Sequence, residues 1–299
     1  MATRCQSTGS YILERSQRDP IQDPYRSART TWRDWIYLLA NLLLVAAVEL
    51  TDDFAHALVP HTNANIGLTN AMHVAHFEAA HDLWIEPAIQ SFFAHSHTYF
   101  GFTIGWSQVT TVVDMVYGQG HVFFTLGFAL WVFLCRRALF PFLRNIFLVT
   151  NTFAVLLYES FPLAPPRLAS GLRYDGHPYH FLDAVFGGAN GLKIGFNEYA
   201  AMPSVHVAWA LIVGLTLAWA AKPLLIRAVA LAYPVLMILV VIITGNHYVL
   251  DALCAVCVVL TSVVLVTLYT WWRQGDRSFG AVLRRLNAAR LPGSPYHAV

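Results

Sequence analysis

Two short polar motifs, each directly before a long apolar run, contain the residues of this chain that are best suited to chemistry. The first is Pro203-Ser204-Val205-His206, and the second holds His247 and Asp251. Residues four apart share one helix face, and helical side chains lean towards the N-terminus, so Asp251 can reach back to His247. A carboxylate that fixes one imidazole tautomer leaves the other ring nitrogen available as a nucleophile or base.

The segment around Ser204 is typical of a helix start, because proline and serine are favoured at the first helical positions. The free N–H groups and the dipole of such a start attract an anion. Two helix starts brought together would form a phosphate site with His206 and His247. A single histidine at a helix end is usually a solvated residue, but ionisable groups beside apolar segments are costly unless used, so both are functional candidates.

Three segments, in this order, resemble the three signatures of the type 2 phosphatidic acid phosphatase superfamily. Pro165-Pro166-Arg167 resembles the end of the first, Pro203-Ser204-x-His206 the second, and His247-x3-Asp251 the third. The order and spacing of all three at predicted membrane boundaries make the resemblance more specific than any single motif.

The amino-acid sequences of two motifs are similar to those of one branch of that superfamily, which includes inositol phosphorylceramide synthase and its bacterial relatives. These are Ala200–His206 and Asn246-His247-Tyr248. The resemblance covers roughly residues 60–270, and both tails lie outside it.

The resemblance implies roles for individual residues. His247 would attack phosphorus to form a phosphohistidine, and Asp251 would orient its ring. His206 would protonate the leaving oxygen and then activate water or an alcohol. Arg167 and the helix N–H groups near Ser204 would stabilise the equatorial phosphate oxygens. An alternative for Arg167 is that it only anchors the chain at the membrane interface.

Two positions depart from the family pattern. Ser160 stands where the first signature has a lysine, seven residues before the arginine, and Val241 where the third has an arginine, six residues before the histidine. A less positive site suits a singly charged phosphodiester better than a dianionic monoester, which favours transfer of a phospho-headgroup over hydrolysis. Possible substitutes for the missing cations are Asn246, Tyr248, Arg173 and Lys193, and all of these except Tyr248 are also phosphate-ligand candidates.

Asp114, Tyr117 and His121 lie at helical spacing near the end of another apolar run. They are candidates, together with Tyr248, for a second shell around the site or for headgroup recognition. A hydrogen-bonded cluster that packs membrane helices explains the first three equally well.

Histidines 73, 76 and 81 invite a metal interpretation, but their spacing matches no known ligand set and a polar helix face explains it. No carboxylate cluster of the kind that Mg²⁺ or Ca²⁺ prefers accompanies the motif histidines. We therefore predict that the protein needs neither a metal nor another cofactor.

The composition predicts that membrane helices position these motifs. Hydrophobic residues make up 57% of the chain and charged residues 12%, against about 25% charged in globular proteins. We predict an all-α, polytopic membrane protein with a six-helix transmembrane bundle. The expected spans are Trp35–Leu50, Trp106–Leu134, Asn145–Phe161, Ser204–Ala221, Leu224–Thr244 and Tyr248–Thr270.

An extracytoplasmic amphipathic helix is expected before the second span. Leu68, Met72, Ala75, Ala79 and Leu83 form one stripe, with Asn70, His73 and His81 opposite. The predicted domains are a basic N-terminal tail (1–33), the six-span catalytic domain (34–270) and a basic C-terminal tail (271–299).

The basic residues predict the orientation. All but three of the 19 Lys and Arg residues fall on the side that would carry both termini. The positive-inside rule places that side in the cytoplasm and the motifs on the extracytoplasmic face, in a multi-pass protein of the plasma membrane. The other three, Arg167, Arg173 and Lys193, lie in the segment between the third and fourth spans.

The leading hypothesis is therefore a membrane lipid phosphatase or phosphotransferase acting on a phospholipid or on an isoprenoid or sphingolipid phosphate. The alternatives are an inactive lipid-binding or scaffolding protein on the same fold, and a transporter, against which the helices lack paired Gly/Pro interruptions and midplane charges. A net charge of +2 argues for no nucleic-acid partner.

Overall fold

The computed structural model describes residues 30–274 apart from 59–62, 172, 175–176, 179–180 and 183–196, so most of both predicted tails lies outside it. Helices dominate the described chain. They are α1 (Trp32–Leu58), α2 (Asn63–Ala80), α3 (Glu86–Ala94), α4 (Trp106–Met115), α5 (His121–Cys135), α6 (Phe140–Ser160), α7 (Val205–Ala220), α8 (Leu224–Ile243) and α9 (Val249–Gln274).

Short irregular elements complete the fold. A π-helical turn, Val116–Gly120, joins α4 to α5, and a 3-10 turn, Arg137–Leu139, precedes α6. The all-α prediction omitted two small antiparallel hairpins. They are formed by β1 (His97–Tyr99) with β2 (Phe102–Ile104) and by β3 (Arg173–Tyr174) with β4 (His177–Pro178).

Four helical segments among the described residues are long and apolar enough to cross a membrane, and they correspond to four of the six predicted spans. They are Trp106–Cys135, Arg137–Ser160, Leu224–Ile243 and Val249–Arg273. The predicted fourth span is α7, which has 16 residues and so a length of about 24 Å, short of a hydrocarbon core of about 30 Å. The predicted first span lies within α1, where the side chains of residues 49 and 52–58 are outside the description. The six-span bundle stays a prediction.

The closest helix packing is between α7 and α8, and it depends on Gly214. A Cβ atom on Gly214 would lie 2.5 Å from the Ala230 carbonyl oxygen and 2.8 Å from Cδ of Pro234. Only glycine allows this approach. The two helices are joined by a short turn, so the start of α7 and the end of α8, which carry the two motifs, lie at the same end of the bundle.

The predicted amphipathic helix exists as α2, but its buried face differs from the predicted stripe. Ala71, Val74, Ala75 and Glu78 are buried, whereas the stripe residues other than Ala75 are only half-buried. The reason is that Glu78 hydrogen-bonds the backbone of α9, which turns that carboxyl inward. The position of α2 on the extracytoplasmic membrane surface stays a prediction.

Helices α2 and α3 together with residues 161–171 form a cap over the start of α9. Its small apolar core contains Ala71, Val74, Leu163, Ala164, Ala169, Ala201 and Tyr248. Backbone and side-chain hydrogen bonds join its parts: Leu163 N donates to the Tyr199 carbonyl at 2.7 Å, and Asn70 Nδ2 donates to the Pro162 carbonyl at 2.8 Å. The cap therefore covers the polar end of the bundle.

The orientation can be tested with single cysteines at Gly187 and Arg285, both outside the described residues, introduced after the four native cysteines are replaced. Because the sequence predicts that most basic residues lie on the side opposite to the motifs, we expect a membrane-impermeant thiol reagent to label residue 187 in intact cells. Residue 285 should react only after permeabilisation. Reversed labelling would contradict both the orientation and an extracytoplasmic site.

Candidate active site

His247 lies in the turn between α8 and α9, which Gly245 makes possible. Gly245 has a φ of +69°, and an added Cβ would lie 3.2 Å from the Leu182 carbonyl oxygen and 3.3 Å from Nε2 of Gln90. The backbone N–H groups of Asn246 and His247 both donate to the Val241 carbonyl, at 3.2 and 3.3 Å. This left-handed glycine ends α8 and turns the chain towards the cap.

Two acceptors contact the same nitrogen of the His247 ring. Nδ1 lies 2.7 Å from the Ala201 carbonyl oxygen and 3.3 Å from Oδ2 of Asp251. A carbonyl oxygen only accepts, so we assign the ring proton to Nδ1, which leaves the Nε2 lone pair free. The structure thus brings Asp251 to His247, as the four-residue spacing predicts, and adds an acceptor 46 residues away that no local pattern indicates.

Asp251 links the two motifs. Its side chain is fully buried, and Oδ2 also accepts a hydrogen bond from Tyr248 N at 2.9 Å. Its backbone carbonyl accepts from Ser204 N at 3.3 Å. One residue therefore orients His247, holds the start of α9 and ties α9 to the start of α7.

If His247 forms the phospho-enzyme that the family resemblance implies, we expect Asp251→Asn to slow its formation by about 10- to 100-fold. This is less than the loss of about 10⁴-fold where a carboxylate alone sets the histidine tautomer. The reason is that the Ala201 carbonyl still holds the Nδ1 proton. Rapid-quench measurement of phospho-enzyme formation gives this rate. Asp251→Ala, which also removes the acceptor for Tyr248 N, should be slower still. If Asp251→Asn slows phospho-enzyme formation as much as His247→Ala does, the Ala201 carbonyl does not hold the Nδ1 proton as we propose.

His206 lies in the first turn of α7, where Ser204 is the N-cap. Ser204 is fully buried, and its Oγ accepts a hydrogen bond from Val207 N at 3.4 Å. The His206 and His247 ring centroids are 6.4 Å apart. A phosphorus atom between the two rings would be near both, since reacting atoms approach to about 3–3.5 Å.

Aromatic side chains surround the other side of His206. The Tyr117 ring stacks on it with the centroids 3.9 Å apart, and the His121 ring lies at 5.0 Å. Nδ1 of His121 is 2.8 Å from the Tyr233 hydroxyl. The structure therefore brings two of the four predicted second-shell residues, Tyr117 and His121, to His206, while Asp114 lies on α4, one turn before Tyr117.

Arg167 approaches His247 from the segment after α6. Its backbone N donates to the Gly245 carbonyl at 2.9 Å, and its Nε donates to Asn246 Oδ1 at 2.8 Å. Asn246 Nδ2 in turn donates to Thr244 Oγ1 at 3.0 Å. No described residue accepts a hydrogen bond from Nη1 or Nη2 of Arg167, so these groups are available for the paired contacts that guanidinium makes with phosphate oxygens.

The remaining candidates differ in their surroundings. Tyr248 is buried in the cap, where its ring stacks on Trp84 at 6.2 Å, so the structure places its ring in the cap core. Arg173 belongs to β3, but its side chain lies outside the described residues, as does all of Lys193. At the two positions that depart from the family pattern, Ser160 is exposed and Val241 is fully buried.

Potential metal ligands do not cluster in the described part of the chain. No group of three or more His, Cys, Asp or Glu side chains there could hold a metal ion. His73 and His76 are exposed, and Nδ1 of His81 contacts the Phe77 carbonyl at 2.7 Å.

Two buried acids next to the site were not predicted from the sequence. Glu78 and Glu86 accept hydrogen bonds from Leu250 N and Val249 N, just after His247. Glutamates are ordinarily surface residues, and no local pattern distinguishes these two from solvated ones. Tyr233 and Trp209, beside His121, were missed because aromatic residues are common in membrane helices.

A family model described as the PAP2 superfamily matches residues 73–265 of the chain. The match includes Arg167, His206, His247 and Asp251. No curated protein and no solved structure matches the chain significantly.

Proposed function

This chain belongs to the PAP2 superfamily, and from that premise we propose that it is a membrane lipid phosphatase or phosphotransferase that works through a phosphohistidine. Family membership supports phosphatase-type chemistry. The observation that carries the proposal is the pair of histidine rings, His206 and His247, with centroids 6.4 Å apart, together with Arg167, which hydrogen-bonds the neighbouring Asn246. The site lies at the end of the bundle that we place on the extracytoplasmic face.

In the first step, Nε2 of His247 attacks phosphorus and a P–N bond forms while the P–O bond to the leaving group breaks. His206 donates a proton to the leaving oxygen. The phosphorylated ring is positively charged, and the Asp251 carboxylate, 3.3 Å from Nδ1, stabilises it. Arg167 binds the phosphate oxygens as charge develops on them.

In the second step, His206 takes a proton from water or from an acceptor alcohol, whose oxygen attacks the phosphohistidine. The P–N bond breaks and Nε2 of His247 regains its lone pair. Water gives hydrolysis, whereas an alcohol on a second lipid gives transfer of the phospho-group. The same residues serve both outcomes.

An apolar cavity below the site supports a lipid substrate. A space of about 300 Å³ lies between α1, α5, α6 and α7. Val122 and Trp209 line the end nearest to His121, and Asn41 and Arg144 line another part. We propose that a hydrocarbon chain of the substrate occupies this cavity, because Trp209 at its edge lies beside His121, whose ring is 5.0 Å from that of His206.

The low positive charge of the site favours headgroup transfer between phosphodiester lipids. Neither Ser160 nor Val241 supplies the cation of the family pattern, and Arg167 is the basic residue that the described structure places beside His247. A dianionic phosphate would be less well neutralised there than a singly charged diester. We therefore propose transfer, as in the inositol phosphorylceramide synthase branch, over simple hydrolysis.

The test uses purified full-length protein in detergent with mixed lipids. Phosphate release from phosphatidic acid and from isoprenoid phosphates measures hydrolysis, and appearance of a labelled phospho-headgroup on ceramide or diacylglycerol measures transfer. We expect transfer to exceed release, no effect of EDTA, and no product with His247→Ala. If the wild-type protein shows neither reaction, the scaffolding alternative is favoured. Loss of activity with a chelator, restored by one divalent ion, would contradict the metal-free mechanism.

A further inference from the structure

Two carboxyl groups of the cap are buried against the helix that follows the catalytic histidine. Glu78 lies near the end of α2 and is 0% exposed; Glu86 is the first residue of α3 and is 1% exposed. Buried acids are rare because removing their charge from water is costly, so they call for a specific reason.

Each carboxyl accepts a hydrogen bond from the start of α9. Val249 N donates to Oε1 of Glu86 at 2.7 Å, and Leu250 N donates to Oε1 of Glu78 at 2.6 Å. The preceding amide, Tyr248 N, donates to Oδ2 of Asp251. The first amides of a helix have no acceptor within it, so three carboxyl groups from three different helices satisfy three consecutive N–H groups.

The second carboxyl oxygens, Oε2 of Glu78 and Oε2 of Glu86, are also buried, and no described donor hydrogen-bonds either of them. No described Lys or Arg forms an ion pair with either group. The two carboxyls accept from consecutive amides of α9, so they lie side by side.

Burial and the neighbouring charge of Glu86 raise the pKa of Glu78 from 4.5 to about 10, with a smaller contribution from Asp251. Burial also raises the pKa of Glu86. Two buried carboxyls this close ionise as a pair, and the first proton to leave is easier to remove than the second. At neutral pH the pair therefore keeps a proton.

We propose that Glu78 and Glu86, holding one proton between them, are positioning residues that lock the first turn of α9 to the cap and so set the place of His247 and Asp251. This inference rests on the proposed function for its catalytic readout. His247 is two residues before Val249 in the turn that these bonds hold, and a misplacement of about 1 Å costs about 10²-fold in rate.

Glutamine variants test the shared proton. A glutamine keeps Oε1 as an acceptor for the α9 amide, and its NH₂ group supplies the hydrogen of the protonated acid. Glu78→Gln and Glu86→Gln, each alone, should keep phospho-enzyme formation within about 3-fold of wild type. The double variant places two NH₂ groups against each other with no acceptor and should lose about 100-fold, far more than the product of the single losses.

Alanine and a surface control complete the series. Glu78→Ala removes the acceptor of Leu250 N and should lose about 100-fold in kcat with little change in KM. Glu159→Gln, at an exposed position near the end of α6, should behave as wild type. If each single glutamine variant is as slow as the double, or if the double is as fast as the singles, no proton is shared and the proposal is wrong.

Unfolding in detergent provides a readout that does not depend on catalysis. A carboxyl whose pKa is higher in the folded than in the unfolded protein binds its proton more tightly when folded. Its contribution to stability is thus full below about pH 4.5 and is lost as the pH rises towards 10. Wild-type Tm should fall between pH 5 and pH 9, and Glu78→Gln should flatten that fall.

Other titratable groups near the pair, namely Asp251, Tyr248 and His247, are present in both proteins, so the difference between the two Tm profiles isolates the pair. If the protein shows no phosphoryl chemistry but the profiles differ as expected, the proposed function fails and the shared proton stands. Parallel profiles would overturn the shared proton whatever the activity.

Discussion

The His247→Ala variant is expected to form no covalent phospho-enzyme and to lose turnover of lipid phosphate by more than about 10³-fold. The structure provides the reason: the Ala201 carbonyl and Asp251 both hold Nδ1, so Nε2 is the nitrogen free to attack phosphorus. The measurement is acid-labile, base-stable label on the protein after rapid mixing with a ³²P-labelled substrate.

The matched control is His73→Ala, which removes an exposed histidine of α2. It should be phosphorylated at the wild-type rate, because His73 lies on the outer face of the helix. Melting curves of both variants establish that they are folded. Normal turnover by His247→Ala would show that another group is the nucleophile.

The His206→Ala variant, in contrast to His247→Ala, should form the phospho-enzyme when the substrate has a good leaving group, such as a nitrophenyl phosphodiester. Phosphorylation of His247 then needs little help from an acid, but the intermediate lacks a base for its breakdown. We expect the phospho-enzyme to accumulate to nearly one per protein while steady-state turnover falls by about 10²- to 10⁴-fold. Peptide mapping should place the label on His247.

His121 is the residue that we expect to act as base when His206 is removed. Its ring lies 5.0 Å from that of His206, and it is the nearest other imidazole in the described structure. If the His206→Ala intermediate still breaks down slowly, His121→Ala in the same background should stop that residual reaction. The single variant His121→Ala should keep most of the activity. Label on His206 in the wild-type protein would reverse the two roles.

Several features of this protein are local properties of the sequence. A hydrophobic run of sufficient length predicts a membrane helix whatever surrounds it. The predicted bounds of the fifth span, Leu224–Thr244, differ by one residue from those of α8. The predicted third span, Asn145–Phe161, starts five residues after the start of α6. In the structure, Pro141 lies in the first turn of α6, and Arg144 lies within that helix and donates to Asn41 Oδ1 at 2.8 Å.

The contact between His247 and Asp251 also follows from sequence spacing, since one helical turn brings residues four apart together. The same is true of Ser204 as the N-cap of α7, because serine caps the helix that directly follows it. The three motifs, and with them the family, are likewise visible in the amino-acid sequence alone.

Only the tertiary structure decides what surrounds these residues. The Ala201 carbonyl that fixes the His247 tautomer is 46 residues away, Asn246 is 79 from Arg167, and Glu78 is 172 from Leu250. None of these separations has a local signal, because a backbone acceptor or a glutamate looks the same in a sequence whether it is buried or solvated. Packing of the cap on the bundle creates the contacts, and the cost of leaving a buried amide unpaired makes the two glutamates part of the site.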